Sequence, residues 1–292
     1  MKFYASILFL AVLTACDNSG SSMPDYSRPI ELALDFPVQK MLKDSHVEFS
    51  SECMSGLDLC WYKIKNSANS KSLPSVALKS ATGTLELDNV INITVIVDER
   101  VGEAVENIKV TLRGLPDNST HEDSMGFISQ LIDRVKNSGW KHYYFPSNPR
   151  ISGSQAAKIM TPDKVLERPV LGHPWLDPDY KPDLEQWLKT SVYEWYFYND
   201  GAYLSVNARR NDSKDNPTKT GTYLITMEFL TERQYWVSDF DEDKDRANWK
   251  ELLPARLKKY QDARRDIEDK ARANGIEIDE SYQDPPIKAL SR

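Results

Sequence analysis

The sequence predicts an α+β protein with two small mixed units, each a small antiparallel sheet packed with helices, and a long C-terminal helix. Three patterns carry this prediction. Apolar and polar residues alternate over residues 91–113 and 193–208, as in half-buried strands. Apolar residues recur at helical spacing over residues 128–135 and again over residues 249–271. Because strands and helices are interspersed along the chain, small sheets with helices packed on them are the expected architecture.

Residues 1–15 resemble a secretory signal peptide. Lys2 precedes an apolar run over residues 3–13, which is too short to span a membrane. The segment LTAC at residues 13–16 fits the bacterial lipobox, so we expect cleavage before Cys16 and lipidation of its thiol. The alternative is an ordinary signal peptide that happens to precede a cysteine. Several acyl chains on one residue anchor a protein firmly, so lipid on Cys16 would hold the chain on a membrane.

Asp17 bears on which membrane holds the protein. An Asp directly after the lipidated cysteine resembles the signal that retains enterobacterial lipoproteins in the inner membrane. We therefore expect a periplasmic body anchored to the inner membrane, with the outer membrane as the alternative. Residues 16–29 are polar and rich in turn-forming residues, and we expect them to be a flexible tether between the anchor and the body.

The body is expected to consist of two units separated by a proline-rich connection. Seven prolines lie between residues 146 and 182, a density that is typical of an ordered but irregular segment. The expected order is an N-terminal α+β unit at residues 30–160, the connection at residues 161–182, and an aromatic-rich C-terminal α+β unit at residues 183–292. The periodicity of residues 30–80 is too weak to predict more than short strands and turns.

The N-terminal unit shows a strand, strand, helix, strand pattern. β-Branched residues alternate with polar ones over residues 91–97 and 108–112, which predicts two antiparallel strands. Ser119 and Glu122 have capping-box spacing at the start of a helical pattern. Residues 140–145 then predict a further strand.

The C-terminal unit is predicted to contain a hairpin, a further strand and a long helix. Asp200-Gly201 lies between two aromatic and β-branched runs, which is the strongest hairpin signal in the sequence. Pro254 is expected to kink the long helix or to start a second one, and Asn274-Gly275 to end it. In chain order, the predicted elements are a short helix at residues 184–188, strands at residues 193–198, 202–208 and 222–236, and helical residues from 249 to 271.

Besides Cys16, the chain has two cysteines, Cys53 and Cys60. In an oxidising periplasm, two thiols at this spacing are expected to form a disulfide that closes a small loop. A zinc site would need two further ligands, and His46 is the only histidine nearby in sequence. The disulfide is therefore the favoured prediction.

The charge balance argues against one class of partner. The chain has 44 acidic and 37 basic residues and a net charge of −7. Such a balance argues against a protein that binds nucleic acid or anionic lipid, since phosphate contacts need a basic field. No stretch beyond the signal is long enough to span a membrane, so we expect the lipid alone to hold the protein there.

No combination of residues predicts catalysis, and we expect neither an enzyme nor a bound cofactor or metal. The four histidines have no metal-ligand spacing, and no Gly-x-Ser-x-Gly motif occurs. Ser138 and Lys141 have Ser-x-x-Lys spacing, but Gly139 and Trp140 end the helix between them. Chance therefore explains that match better than a hydroxyl nucleophile does.

An acidic run supplies candidate partner contacts. Asp239, Asp241 and Asp243 begin like a calcium loop, but Lys244 and Lys250 occupy the positions of its glycine and its bidentate Glu. A negatively charged helix N-terminus explains the run better. An acidic contact surface is the alternative.

The predicted hairpin supplies a second set of candidate contacts, which are aromatic. Because its aromatic residues alternate, one set of side chains faces each side of the sheet. If one face is uncovered, it forms an aromatic binding surface, whereas the alternative is that helices cover both faces. The residues predicted to contact a partner are therefore Trp195, Tyr196, Tyr198, Asp200, Asp239, Asp241 and Asp243.

Four segments of the chain carry a family resemblance. They are the lipobox, GWKHYYFP at residues 139–146, EWYFYNDG at residues 194–201 and IDESYQDPP at residues 278–286. Together they resemble the lipoproteins that give immunity to type VI secretion phospholipase effectors, the Tli family. The resemblance implies a protein without catalytic residues that binds a lipase in the periplasm and blocks its active-site entrance or its access to phospholipid. A structural or assembly lipoprotein of the envelope and a small-ligand-binding lipoprotein are the alternatives.

Overall fold

The computed structural model describes residues 25–54 and 56–291. The predicted signal peptide, Cys16 and Asp17 lie outside the described residues. The strands are β1 (Ile30–Ala33), β2 (Ser50–Met54), β3 (Leu59–Lys65), β4 (Val76–Lys79), β5 (Thr84–Leu87), β6 (Val90–Asp98), β7 (Asn107–Arg113), β8 (Ser119–Thr120), β9 (Lys141–His142), β10 (Lys164–Val165), β11 (Arg168–Pro169), β12 (Val192–Asn199), β13 (Ala202–Asp212) and β14 (Thr220–Thr231). The helices are α1 (Val38–Asp44), α2 (His121–Asn137), α3 (Leu184–Leu188), α4 (Glu232–Val237), α5 (Asp243–Ala247) and α6 (Trp249–Ala273).

One large antiparallel sheet organises the molecule. Its strands lie in the spatial order β2-β3-β6-β7-β14-β13-β12-β9, and β8 pairs with one end of β14. A smaller sheet, in the order β1-β4-β5, combines a parallel and an antiparallel pair. With the helices, these sheets confirm the predicted α+β class, and α6 confirms the predicted long C-terminal helix.

The two halves of the chain share the large sheet, which differs from the expectation of a separate sheet in each. β7 of the first half pairs with β14 of the second through seven residue pairs, from Asn107↔Leu230 to Arg113↔Leu224. Both strands would otherwise be sheet edges with unpaired backbone groups. Pairing them removes two edges and merges the two predicted sheets.

The inner face of the large sheet packs on α2 and on the smaller sheet. The predicted apolar stripe of α2 is confirmed, since Ile128, Leu131, Ile132 and Val135 are all buried. They join one core with the inward side chains of the central strands, such as Val110 and Met227, and with those of β1, β4 and β5. Burial of this face explains the alternation that predicted the strands.

Three elements have boundaries that differ from the sequence prediction. Thr120 caps α2 by accepting a hydrogen bond from the backbone N–H of Asp123 at 3.0 Å, one residue later than the predicted Ser119 box. The strand predicted to reach residue 236 ends at Thr231, whose side chain accepts from the N–H of Gln234 at 3.2 Å and caps α4. The strand predicted over residues 140–145 is shorter, since β9 is the only part of this segment that forms a strand beside β12.

The local signals for turns and for the disulfide are confirmed. Asp200 and Gly201 both have positive φ, 45° and 93°, as a tight two-residue hairpin turn requires. Cys53 and Cys60 face each other across β2 and β3 and form a disulfide with an S–S distance of 2.02 Å. Pro254 lies inside α6, which continues to Ala273, and Gly275 follows it with φ of 71°.

The C-terminal half of α6 packs on the proline-rich connection and on the residues that precede it. Ile267 and Ala271 share a small core with Ile151, Ile159 and Val165. The connection is therefore an ordered part of the body, as its proline density predicts. Among the described residues, no helix is both long and apolar enough to cross a bilayer.

Candidate partner-binding surface

The outer face of the large sheet, opposite α2, is covered at one end. α4 follows β14 directly and folds back against β13 and β14. Residues 284–291, which we call the C-terminal segment, and α6 pack beside α4 around a second core. The hairpin was expected either to leave one aromatic face uncovered or to be covered by helices on both faces. The structure combines the two, since helices cover one end of the outer face and leave the rest uncovered.

The covered end contains a cluster of buried aromatic side chains. The rings of Tyr203 and Tyr235 stack with centroids 3.8 Å apart, and Trp236 donates its indole N–H to the Tyr203 hydroxyl at 3.1 Å. Trp236 is only 2% exposed. Burial raises the pKa of Tyr203 far above its ordinary value, so this phenol is a neutral hydrogen-bonding group of the core.

Trp195, predicted as a partner contact, lies on the opposite side of the sheet. It is 5% exposed and belongs to the inner core, where its ring lies near those of Trp187 and Tyr193. The prediction that Trp195 contacts a partner is therefore corrected. The physical reason is the period of two along β12, which sends Trp195 inward and its neighbour Tyr196 outward.

Tyr196 and Tyr198 lie on the outer face at the boundary between its covered and exposed parts. The Tyr196 hydroxyl donates to Glu194 at 2.8 Å, and the Tyr198 hydroxyl donates to the carbonyl of Pro286 at 3.4 Å. Burial raises the pKa of both phenols. Both side chains are half-buried, so their edges are available beside the exposed face.

Asp200, at the tip of the hairpin, is held by the C-terminal segment. Lys288 Nζ lies 2.7 Å from the Asp200 carboxylate and also donates to its carbonyl at 2.9 Å. Glu232 accepts hydrogen bonds from the backbone N–H groups of Lys288 and Ala289, each at 2.8 Å. Asp200 is half-exposed, with 51% of its side chain accessible, but its charge already has a partner within the chain.

The acidic run does not form one surface. Asp239 accepts hydrogen bonds from Tyr260 at 2.7 and 2.8 Å and pairs with Arg256 at 3.4 Å, so its half-buried carboxylate already has partners within the chain. Burial and the Asp239 carboxylate raise the pKa of Tyr260 to about 12. Asp241 and Asp243 are exposed, and Asp243 lies in the first turn of α5, where the helix dipole favours a negative charge.

The rest of the outer face forms an extended surface across six strands, with side chains that are exposed or half-buried. We call the three rows of side chains on this part of β3, β6, β7, β14, β13 and β12 the open face. Strand register aligns each row from one strand to the next. The rows are Lys63, Thr94, Lys109, Glu228, Ser205 and Tyr196; Lys65, Asn92, Thr111, Thr226, Asn207 and Glu194; and Arg113, Leu224, Arg209 and Val192.

Cross-strand hydrogen bonds hold polar side chains of the open face in place. Asn207 donates to Glu194 at 2.6 Å, and Lys109 pairs with Glu228 at 3.2 Å. Asn107, at the border of the face, also donates to Glu228 at 2.7 Å. These contacts order side chains that would otherwise be free in solvent, so a partner would lose less side-chain entropy on binding them.

The third row of the open face combines positive charge with exposed apolar surface. Leu224 is 51% exposed and Val192 is 43% exposed. Arg113 and Arg209 flank Leu224 in the register of β7, β14 and β13. Within the described residues neither arginine pairs with a carboxylate, and Arg113 donates instead to backbone carbonyls and to Asn89. This row is a basic strip with an apolar centre on a chain of net charge −7.

The histidines lie in separate places in the fold. The Nδ1 atom of buried His121 faces the Tyr223 hydroxyl at 3.0 Å, and His173 accepts a hydrogen bond from the N–H of Trp175 at 3.2 Å. His142 lies 4.0 Å from Asp177, and burial lowers the pKa of its imidazole. His46 borders the cleft beside α1, far along the chain from the others.

One group of candidate metal ligands comes together among the described residues. It consists of Cys53, Cys60 and Glu99. Both sulfur atoms are joined in the disulfide, so neither is a thiolate ligand. The cluster is therefore explained by the cross-strand disulfide.

Two concave regions lie away from the open face. A cleft of about 550 Å³ lies between the smaller sheet and α1, and a cavity of about 300 Å³ lies under the C-terminal segment. In the cleft, Lys79 pairs with Glu31 at 2.7 Å. Tyr143, Tyr203 and Trp236 line the cavity, so it belongs to the covered aromatic cluster.

The three segments of the family resemblance that the structure describes lie side by side. The backbone N–H of Tyr143 donates to the carbonyl of Tyr196 at 2.9 Å, and that of Tyr144 donates to the Tyr282 hydroxyl at 3.2 Å. The third contact joins Tyr198 to Pro286. In comparisons with known proteins, no family model, curated protein or solved structure matches the chain.

Apart from Tyr196, sequence reasoning missed the open-face residues as candidate contacts. The signal was present in the polar positions of the alternating strands, such as Lys109 and Arg113 in β7 and Glu228 in β14. An exposed Leu224 between polar positions was a further signal, because it breaks the alternation of β14. The prediction instead selected aromatic residues of the hairpin, and most aromatic side chains there are part of the cores.

Proposed function

We propose that this protein is a periplasmic lipoprotein that binds and neutralises a phospholipase effector of the type VI secretion system. The observation that carries the proposal is the open face, an extended, hydrogen-bonded and charged surface that the described part of the chain leaves exposed. Ordered polar residues around exposed apolar side chains are typical of surfaces that bind another protein reversibly. The resemblance of residues 139–146, 194–201 and 278–286 to Tli immunity lipoproteins supplies the identity of the partner.

Export to the periplasm and lipidation of Cys16 are part of the proposal. The cross-strand disulfide supports export, because structural disulfides form and persist in oxidising compartments. Lipid on Cys16 would hold the protein on the membrane that a phospholipase attacks. Confinement to that membrane raises the effective concentration of the inhibitor where the enzyme acts.

Inhibition follows from rigid coverage of the enzyme. The open face lies on the central strands of the large sheet, whose opposite side is packed on α2 and the smaller sheet. A partner docked there would meet a preordered surface, and the bulk of the molecule would cover the adjoining part of the enzyme. Coverage of the active-site entrance, or of the surface that touches the bilayer, would prevent phospholipid hydrolysis.

We expect a phospholipase gene beside the gene of this protein. The test combines that lipase with the mature chain from residue 17, purified without its lipid. We expect the two proteins to elute as one complex and the lipase to lose its activity on phospholipid vesicles. An unrelated lipase should keep full activity under the same conditions. Separate elution together with full activity of the neighbouring lipase would refute the proposed function.

The role of the anchor has its own test in cells that receive the effector. The Cys16→Ser variant with an ordinary cleavable signal releases the same body into the periplasm. We expect it to protect less well than the lipidated chain at equal abundance, because its local concentration at the membrane is lower. If the released and lipidated proteins protect equally well at every expression level, the lipid anchor has no role in protection.

A further inference from the structure

We infer that the partner docks on the third row of the open face through an acidic patch with an apolar side chain at its centre. The inference deepens the proposed function and rests on it, since it specifies the surface that the effector presents. It is carried by the charge, the exposure and the dimensions of the open face.

The charge of the open face differs in sign from that of the whole chain. Glu228 is paired with Lys109, and Glu194 accepts hydrogen bonds from neutral groups. Lys65, Arg113 and Arg209 have no carboxylate partner within the described residues. A positive excess on a chain of net charge −7 attracts an acidic surface to this face in preference to the rest of the molecule.

The apolar centre of the site is Leu224. Half of this side chain is exposed, and Val192 lies in the same row beyond Arg209. The two arginines lie one strand to either side of Leu224, so their Cα atoms are about 10 Å apart at the usual strand spacing. A complementary partner places carboxylates at about this separation and an apolar side chain between them.

The dimensions of the open face suit a protein partner. Six strands and three rows span roughly 500 to 600 Å² at ordinary strand and residue spacings. A stable interface of standard size buries about 800 Å² on each partner. The open face supplies most of that area.

A folded protein fits this surface better than an anionic membrane does. Glu194 and Glu228 lie in the two rows beside the basic strip. A uniformly negative headgroup layer would bring phosphates against both carboxylates. A protein surface can place donors opposite them and acids opposite the arginines, so it satisfies both signs of charge.

The test measures the kinetics of lipase binding by open-face variants of the mature chain. We expect Arg209→Glu to lower the association rate at least tenfold at low salt, with a smaller effect at high salt, because steering is electrostatic. We expect Leu224→Arg to weaken affinity at least tenfold, mainly through faster dissociation. Lys258→Glu and Leu252→Arg make matched changes on α6, outside the open face, and should bind as the unmodified chain does.

The outcomes separate this inference from the proposed function. If the unmodified chain binds and inhibits the lipase but both open-face variants bind equally well while folded, the docking site is elsewhere and the proposed function stands. If the unmodified chain does not bind the lipase, the proposed function fails and this inference with it. Binding of the unlipidated chain to phosphatidylglycerol vesicles that is lost in Arg209→Glu would assign the strip to a membrane and overturn the inference.

Discussion

At the scale of single residues, His173 couples the fold to pH. Its Nδ1 atom accepts a hydrogen bond from the N–H of Trp175, and the side chain is only 3% exposed. A proton on Nδ1 would turn this acceptor into a donor facing another donor. Burial therefore lowers the pKa of His173 to about 4, from an ordinary value of 6.5.

We predict that the low pKa of His173 makes the free energy of unfolding decrease as the pH falls. Above pH 6.5 the imidazole is neutral in both states and contributes no pH dependence. Below it the unfolded chain binds the proton first, so the free energy of unfolding falls until about pH 4, by about 3 kcal/mol in total. His173→Asn keeps a side-chain acceptor without titrating, and urea unfolding between pH 7 and 4.5 should show a shallower decline. An equally steep decline would contradict the prediction.

Gly153 lies in a tightly packed segment, and we expect its replacement to be costly. Its N–H donates to Asp177 at 2.7 Å, and a Cβ atom there would collide with the side chain of Tyr180. We predict that Gly153→Ala lowers the free energy of unfolding by about 1 to 3 kcal/mol, through overpacking. Gly126, inside α2, has no neighbour within 4 Å of such an atom. Gly126→Ala should raise the free energy of unfolding by about 0.5 to 1 kcal/mol. If both variants shift the melting temperature in the same direction, the predicted contrast is refuted.

At the scale of elements, a largely buried ion pair attaches α6 to a segment that precedes the proline-rich connection. Glu268, 3% exposed, accepts hydrogen bonds from the backbone N–H of Arg150 at 3.0 Å and from its guanidinium at 2.9 and 2.8 Å. Burial by itself would raise the pKa of Glu268. The hydrogen bonds and charge of Arg150 outweigh that effect and hold the pKa below its ordinary value.

We predict that Glu268→Gln lowers the free energy of unfolding by about 3 kcal/mol at neutral pH, because it removes the buried partner of Arg150 and leaves only the exposed Glu280 at 3.5 Å. The loss should shrink in acid: the carboxylate stabilises the fold above its unfolded pKa, near 4.5, and this contribution is lost as the pH falls through the lower folded pKa. Asp262→Asn, which breaks an exposed pair with Lys258, is the control and should cost less than about 1 kcal/mol. Equal costs in denaturant unfolding would show that burial of the pair is unimportant.

The predicted boundaries of β14 and α2 differ from the structure because two adjacent sequence signals were available at each. Thr231 and Gln234 have the spacing of a capping box, which was available in the sequence to end β14 and start α4. The apolar and aromatic residues up to Trp236 suggested a longer strand instead. At α2 the choice between Ser119 and Thr120 was settled by pairing of β8 with β14, a contact distant in sequence.

At the scale of the whole molecule, the shared sheet predicts that the two halves fold together. β7 and β14 contribute to one inner core, so separation would expose Val110 and Met227 and leave two unpaired strand edges. We expect fragments 25–160 and 161–292 to be unfolded or aggregated when produced alone, and to give native circular dichroism when produced together. The intact chain should unfold in one cooperative transition. An independently folded fragment would contradict this prediction.

The sequence by itself determined features that depend on near neighbours in the chain. Alternation predicted β6, β7, β12 and β13, helical spacing predicted α2 and α6, and Asp200-Gly201 predicted the tight turn. The Cys53–Cys60 disulfide was equally local, since a short hairpin joins the two strands. Each of these depends on backbone periodicity, turn conformation or short loop closure, which a stretch of sequence specifies directly.

Only the tertiary structure decided which surfaces are available to a partner. Alternation showed that aromatic side chains of β12 point both ways, but the packing of α2 determined that Trp195 is buried. The return of α6 across the fold supplied Tyr260 and Arg256 to Asp239. Pairing of β7 with β14 aligned Arg113, Leu224 and Arg209 in one row. These outcomes depend on contacts between residues far apart in the chain, and no local pattern records which strands will meet or which face will be covered.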